Sequence, residues 1–148
     1  MTTKEKALDY FSRHFHCSQA ILAAYADKCG LSEDQALKLG GCLGSGMRKG
    51  EVCGACTGAL MVLGALYGQS DEKDLTSRER SNKVNDELMR LFTEKMGSYL
   101  CRDILGCDVS TAEGVKYARE NRLFAEKCPP IVANTTEILD EILRTNDR

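Results

Sequence analysis

Apolar positions along this chain recur at helical spacing, and no convincing period-two run competes with them. From about Lys4 to Lys28, Leu8, Phe11, Phe15, Leu22 and Tyr25 trace one helix face, and Gly30 follows as a C-terminal stop. Ser32, with Gln35 three residues on, reads as a capping box that opens a short helix to about Leu39, closed by Gly40-Gly41. The stretch Gly41 to Gly50 is too rich in glycine for regular structure and predicts a loop that wraps close to something. An apolar helix follows, with Cys53 near its start and Gly68 at its end. A long amphipathic helix from about Thr76 to Met96 presents Val84, Leu88, Leu91 and Phe92 as a buried stripe. Gly97-Ser98 breaks it, and Cys101 to Leu105 makes one or two turns before Gly106. Thr111 caps a further helix through Val115, Ala118, Arg122 and Phe124 to Lys127, where Cys128-Pro129-Pro130 ends it. The last segment, Ile131 to Leu143, turns Ile138, Leu139, Ile142 and Leu143 inward. The pattern predicts an all-α, single-domain bundle of five to six helices over residues 1–148.

Glycine in the apolar helix needs a reason. Gly54, Gly58 and Gly64 each cost roughly 1 kcal/mol relative to alanine, which tertiary contacts must return. Gly54 and Gly58 lie four apart on one face, where they admit a neighbouring backbone or a bulky cofactor. Tight helix packing is the plainer of the two explanations.

With 148 residues the chain is long enough to bury a core without disulfide staples. Its net charge of −2 and the lack of a lysine and arginine cluster argue against nucleic acid as a partner. The longest uncharged stretch, Val52 to Tyr67, is shorter than the ~20 apolar residues a bilayer span requires, so no membrane insertion is expected. The N-terminal residues run straight into an amphipathic pattern without an apolar signal segment, and a cytoplasmic location is expected. Eight cysteines in such a chain point to thiols, metal ligands or catalytic groups rather than a disulfide framework.

Four of the eight, Cys17, Cys53, Cys101 and Cys128, stand in contexts that can hold a thiolate. Cys53 looks best placed, near a helix start and preceded by Arg48 and Lys49. Cys101 has Arg102 beside it and also lies near a helix N-terminus. Cys128 follows Lys127 at a predicted helix end, and Cys17 is read as mid-helix next to His16. Cys53 and Cys56 form a C-x-x-C pair whose sulfurs share one side of a helix, yet the βαβ unit expected around a thioredoxin-like motif is missing. No second close pair supports a zinc ribbon. His14 and His16 lie two apart, on different helix faces, and are not read as a shared metal site.

The ordered set Cys17-Ser18-Gln19-Ala20, Gly46-Met47, Cys53-Gly54-Ala55-Cys56-Thr57-Gly58, Cys101-Arg102-Asp103 and Cys128-Pro129 resembles the family of small redox-active proteins known by the signature C_GCAxxG_C_C. The middle block reads Cys-Gly-Ala-x-x-Gly here, rather than in the literal order of the family's name. The resemblance implies that Cys17, Cys53, Cys101 and Cys128 are the signature cysteines. Cys56 then falls at an unspecified position, while Cys29, Cys42 and Cys107 fall outside the signature and are expected to be small buried residues. The family is also similar to part of the split-Soret cytochromes, which carry an iron–sulfur cluster besides haem, and this chain has no haem attachment motif.

Three readings follow. In the first, the four signature cysteines bind an iron–sulfur cluster of unspecified type for electron transfer or redox sensing, with a redox protein as partner. In the second, Cys53 is the attacking thiolate of a thiol-disulfide oxidoreductase, resolved by Cys56, Cys101 or another cysteine. In the third, the chain is a zinc-stabilised helical bundle or a homodimer packed through its glycine face. The sequence names no substrate, electron donor or acceptor.

Overall fold

A computed structural model describes residues 1–146, and its regular structure is helical. The helices are α1 (Thr3–Ser12), α2 (Cys17–Ala24), α3 (Ala26–Cys29), α4 (Glu33–Leu39), α5 (Gly54–Tyr67), α6 (Leu75–Met96), α7 (Cys101–Leu105), α8 (Ala112–Glu120) and α9 (Leu123–Asn146), with a π-type turn at Gly46–Gly50. The all-α class is as expected, but nine α-helices among the described residues replace the five to six predicted.

The extra breaks fall where no glycine signals them. The expected helix from Lys4 to Lys28 is interrupted after Ser12, where His14 takes a φ of 71°, and again at Tyr25. Tyr10 and Phe15 close the first corner edge to face, at 6.0 Å between ring centroids, and the Arg13 guanidinium lies over the Tyr10 ring. The expected helix from Thr111 to Lys127 stops at Glu120, and Arg122 turns the chain at φ 57°. α9 then runs through Pro129 and Pro130, where the sequence predicts a terminator. The prolines remove the donors that would serve the Ala125 and Glu126 carbonyls, and both of those residues are exposed, which leaves the carbonyls open to solvent as partner.

α2 is the central helix, with Ser18, Ala20, Ile21, Leu22, Ala23 and Ala24 all buried. α1, α4, α5 and α9 pack around it. The glycine face of α5 makes the closest approach, since a Cβ at Gly58 would lie 2.9 Å from the Ser18 carbonyl oxygen. α6 covers α5 with Val84, Leu88 and Phe92, and the second half of α9 closes the core with Ile138, Leu139, Ile142 and Leu143. A second, smaller hydrophobic cluster stands apart, built from Cys101, Leu105, Val109 and Ala118 with Phe124 and Cys128 against it. α9 is common to both clusters.

Candidate cysteine centre

Three of the four cysteines stand where helices begin. Cys17 and Cys101 are the first residues of α2 and α7, and Cys53 is the N-cap of α5. A helix start offers unpaired N–H groups and the positive end of the backbone dipole, both of which favour a thiolate. Cys17 was expected mid-helix, and the break at His14 is what moves it to a helix start. Cys53 and Cys101 are brought together by a short antiparallel contact in which Val52 lies opposite Leu100. The Cys53 N–H donates to the Tyr99 carbonyl at 2.8 Å and the Cys101 N–H to the Glu51 carbonyl at 2.7 Å. Cys128 lies within α9, not at a helix end, and directly precedes the two prolines.

All four cysteines line one cavity of about 660 Å³. The cavity opens along the seam between the two hydrophobic clusters, with Cys53 in the larger cluster, Cys17 packed against it, and Cys101 and Cys128 in the smaller one. Its apolar wall includes Phe11, Phe15, Phe124 and Ile131, and its charged wall carries Arg48 and Arg119. Cysteines scattered from residue 17 to residue 128 thus share a single space. Among the described residues no three His, Cys, Asp or Glu side chains are gathered tightly around one point as for a single metal ion.

The sulfurs are electrostatically unequal. The Cys17 thiol is held below its ordinary range by a hydrogen bond from the Cys53 thiol, aided by the backbone N–H groups of Ser18, Ser45 and Ala55. Cys53 is pushed well up by that same hydrogen bond and by burial. Within the pair Cys17 is therefore the more readily ionised sulfur and Cys53 its donor, which reverses the expectation that Cys53 is the better thiolate. Burial, with the negative charge of Cys17 behind it, pushes Cys101 and Cys128 up to about 12. Arg102 does not relieve Cys101, because its guanidinium pairs with Glu51 at 3.0 Å. Lys49 does not reach the cavity, whereas Arg48 does.

The glycine-rich loop supplies two of these features. Ser45, Gly46, Met47 and Arg48 have φ values of 55°, 60°, 59° and 61°, a full turn of left-handed backbone. For residues other than glycine this costs roughly 1–2 kcal/mol each. Crowding leaves little alternative on either side, since a Cβ at Gly44 would meet the His16 ring at 2.4 Å and one at Gly46 would meet the Glu51 backbone at 2.4 Å. The turn aims the Ser45 N–H at Cys17 and sets Arg48 in the cavity wall. Gly54 has a matching role, for a Cβ there would lie 2.6 Å from the Cys17 sulfur.

The remaining cysteines lie elsewhere. Cys56 is buried in the main core with its sulfur 3.4 Å from that of Met89, and it does not line the cavity with Cys53. Cys29 packs on α5 near the Val62 carbonyl, and Cys107 borders the small cluster. Cys42 is exposed and Cys29 and Cys107 are half-buried, against the expectation of buried residues. Sequence reasoning set aside His14 and His16, yet both line the cavity, as do Arg119 and Phe124, which carried no motif. Those four follow from the packing of α8 and α9 and from the break after α1, and only the aromatic spacing of Phe11 and Phe15 hinted at such a wall.

A family model described as "Putative redox-active protein (C_GCAxxG_C_C)" matches residues 15–142, a span that includes all four cavity cysteines. No curated protein and no solved structure matches the chain.

Proposed function

The chain belongs to the C_GCAxxG_C_C family of redox-active proteins, and on that footing we propose that it transfers electrons or senses redox state through an iron–sulfur cluster held by Cys17, Cys53, Cys101 and Cys128. The observation that carries this reading is the shared cavity. Four thiols from four separate elements line one space of about 660 Å³, and four thiolates are the usual complement for such a cluster. Among the described residues no three of these side chains gather as for a single metal ion, which suits a larger group better than one ion. When bound, a cluster would supply one-electron chemistry; the chain's own part is to hold it and set its surroundings.

Three helix starts and the Ser45 N–H favour negative sulfur, and Arg48 and Arg119 offset its charge. Phe11, Phe15, Phe124 and Ile131 limit water at the sulfurs, which lowers the local dielectric and strengthens those interactions. Without the group, Cys53, Cys101 and Cys128 are protonated at neutral pH, so loading releases protons and is favoured by rising pH.

The test is anaerobic purification with an absorption spectrum and quantitation of iron, acid-labile sulfide and zinc. Stoichiometric iron and sulfide, lost in Cys128→Ser and kept in Cys56→Ser, is the expected result. A colourless, metal-free protein after attempted reconstitution would reject the proposal. One arrangement favours a second reading, a dithiol oxidoreductase: Cys17 and Cys53 are neighbouring sulfurs in one cavity, and Cys53 holds the Cys17 thiol below its ordinary range. That reaction would survive Cys128→Ser and fail in Cys17→Ser, with Cys17 rather than Cys53 as the attacking sulfur.

A further inference from the structure

A second cavity, of about 700 Å³, adjoins the cysteine cavity and shares Arg48, Val109, Val115 and Arg119 with it. Four cations, Arg48, Lys49, Lys116 and Arg119, line it against one carboxylate, Glu120. The chain as a whole is slightly acidic, so this excess of positive charge is local. Lys116 meets Glu120 at 3.8 Å, a pair too exposed to hold it firmly. Arg48, Lys49 and Arg119 have no ion pair or side-chain hydrogen bond among the described residues.

All four cations are exposed, yet they come from two elements and line one concave space. The left-handed turn carries Arg48 and Lys49 on one side, and α8 carries Lys116 and Arg119, three apart on one helix face, on the other. The left-handed backbone at Met47 and Arg48, next to the crowded Gly46, sets the course of this side of the cavity. Val109 and Val115 give the cavity an apolar floor, and its volume falls in the range of small-molecule sites.

We propose that this second cavity binds a small organic molecule bearing two or more anionic oxygens, phosphoryl or carboxylate. Four cations supplied by two elements suit more than one anionic group, and the apolar floor takes the organic body. Because Arg48 and Arg119 line both cavities, occupancy of one is linked to the charge presented in the other. The proposal does not depend on a cluster being bound, and its test separates the two.

The test is isothermal titration of the full chain, purified under reductant, with inorganic pyrophosphate and separately with citrate. Saturable binding of at least one anion is expected, weakened about tenfold or more in a Lys49→Ala, Lys116→Ala double variant and unchanged in Lys73→Ala. Neither substituted lysine lines the cysteine cavity, so iron and sulfide content should stay the same. Binding of pyrophosphate alone assigns the phosphoryl class, and binding of citrate alone assigns the carboxylate class. Should the double variant misfold, Lys116→Glu, a charge reversal on a side chain 77% exposed, is expected to weaken binding in the same way. No saturable heat with either anion at millimolar concentration, or affinity undiminished in the variants, would overturn the proposal.

Discussion

Gly54→Ala and Gly64→Ala make the same chemical change in the same helix and should have opposite effects. At Gly64 an added Cβ meets nothing within 4 Å, so alanine's better helix propensity should stabilise the fold by roughly 0.5–1 kcal/mol. At Gly54 the new Cβ would lie 2.6 Å from the Cys17 sulfur, 3.0 Å from the Leu43 carbonyl oxygen and 3.3 Å from the Ser18 nitrogen. The first of these is roughly 1 Å inside ordinary contact. The sulfur can swing away, but only by giving up the N–H groups that hold it, and the Leu43 carbonyl is backbone. Overpacking of this kind costs about 1–3 kcal/mol, against a propensity gain that is small at the first helical position, for a net loss of about 1–2 kcal/mol. For a chain of this length that lowers Tm by roughly 3–6 °C, and Gly64→Ala raises it by roughly 1–3 °C. Urea and thermal unfolding under reductant measure both. A second readout is specific to the site: alkylation of Cys17, followed against pH by peptide mapping, should begin at higher pH in Gly54→Ala and be unmoved in Gly64→Ala. If Gly54→Ala proves as stable as the parent with an unchanged Cys17 profile, the close approach of α5 to the sulfur is wrong.

Two further outcomes are expected. Burial holds Cys56, Cys101 and Cys128 at about 12, above the ordinary thiol value of about 8.5. The folded chain therefore keeps protons that the unfolded chain loses: stability is full below about pH 8.5 and falls toward pH 12, by up to about 1.4 kcal/mol per pH unit for each cysteine. Urea midpoints between pH 8 and 10.5 should fall steadily, less so in Cys56→Ser, and a flat profile would contradict the burial. Reconstitution with iron and sulfide should raise amide hydrogen-exchange protection most in α7 and α8, because Cys101 and Cys128 belong to the small cluster while Cys17 and Cys53 belong with the large one. Uniform or absent gains would argue against a group that bridges the seam.

The sequence carried the helices wherever capping and periodicity agreed. Ser32 accepts from the Gln35 N–H at 3.1 Å, Thr111 accepts from the Gly114 N–H at 3.0 Å, and α6 runs from Leu75 to Met96 with its stripe buried as the pattern predicts, Leu91 alone being half-buried. It failed where tertiary contacts force single non-glycine residues into the left-handed region, at His14 and Arg122, whereas the glycine-rich Gly41 to Gly50 loop was marked by its composition. Nothing local marks such positions, because only the packing around them makes the conformation tolerable. The same failure hid the site's electrostatics. Cys17 seemed to be mid-helix because the break before it was invisible, and Cys53 seemed the natural thiolate because its hydrogen bond to Cys17 joins segments far apart in sequence. Cys128-Pro129-Pro130 misled in the other direction, since exposed carbonyls one turn back let a helix absorb two prolines.

The order in which the cavity is assembled has a consequence for synthesis. Its sulfurs come from the starts of α2, α5 and α7 and from α9, the last helix among the described residues, whose second half is anchored in the main core. A nascent chain that has already produced Cys17, Cys53 and Cys101 still lacks Cys128 and the helix that closes the wall. Any group that requires all four sulfurs can be captured only after α9 has emerged and docked, so a partly made chain offers isolated thiols rather than a competent trap for whichever metal is nearby.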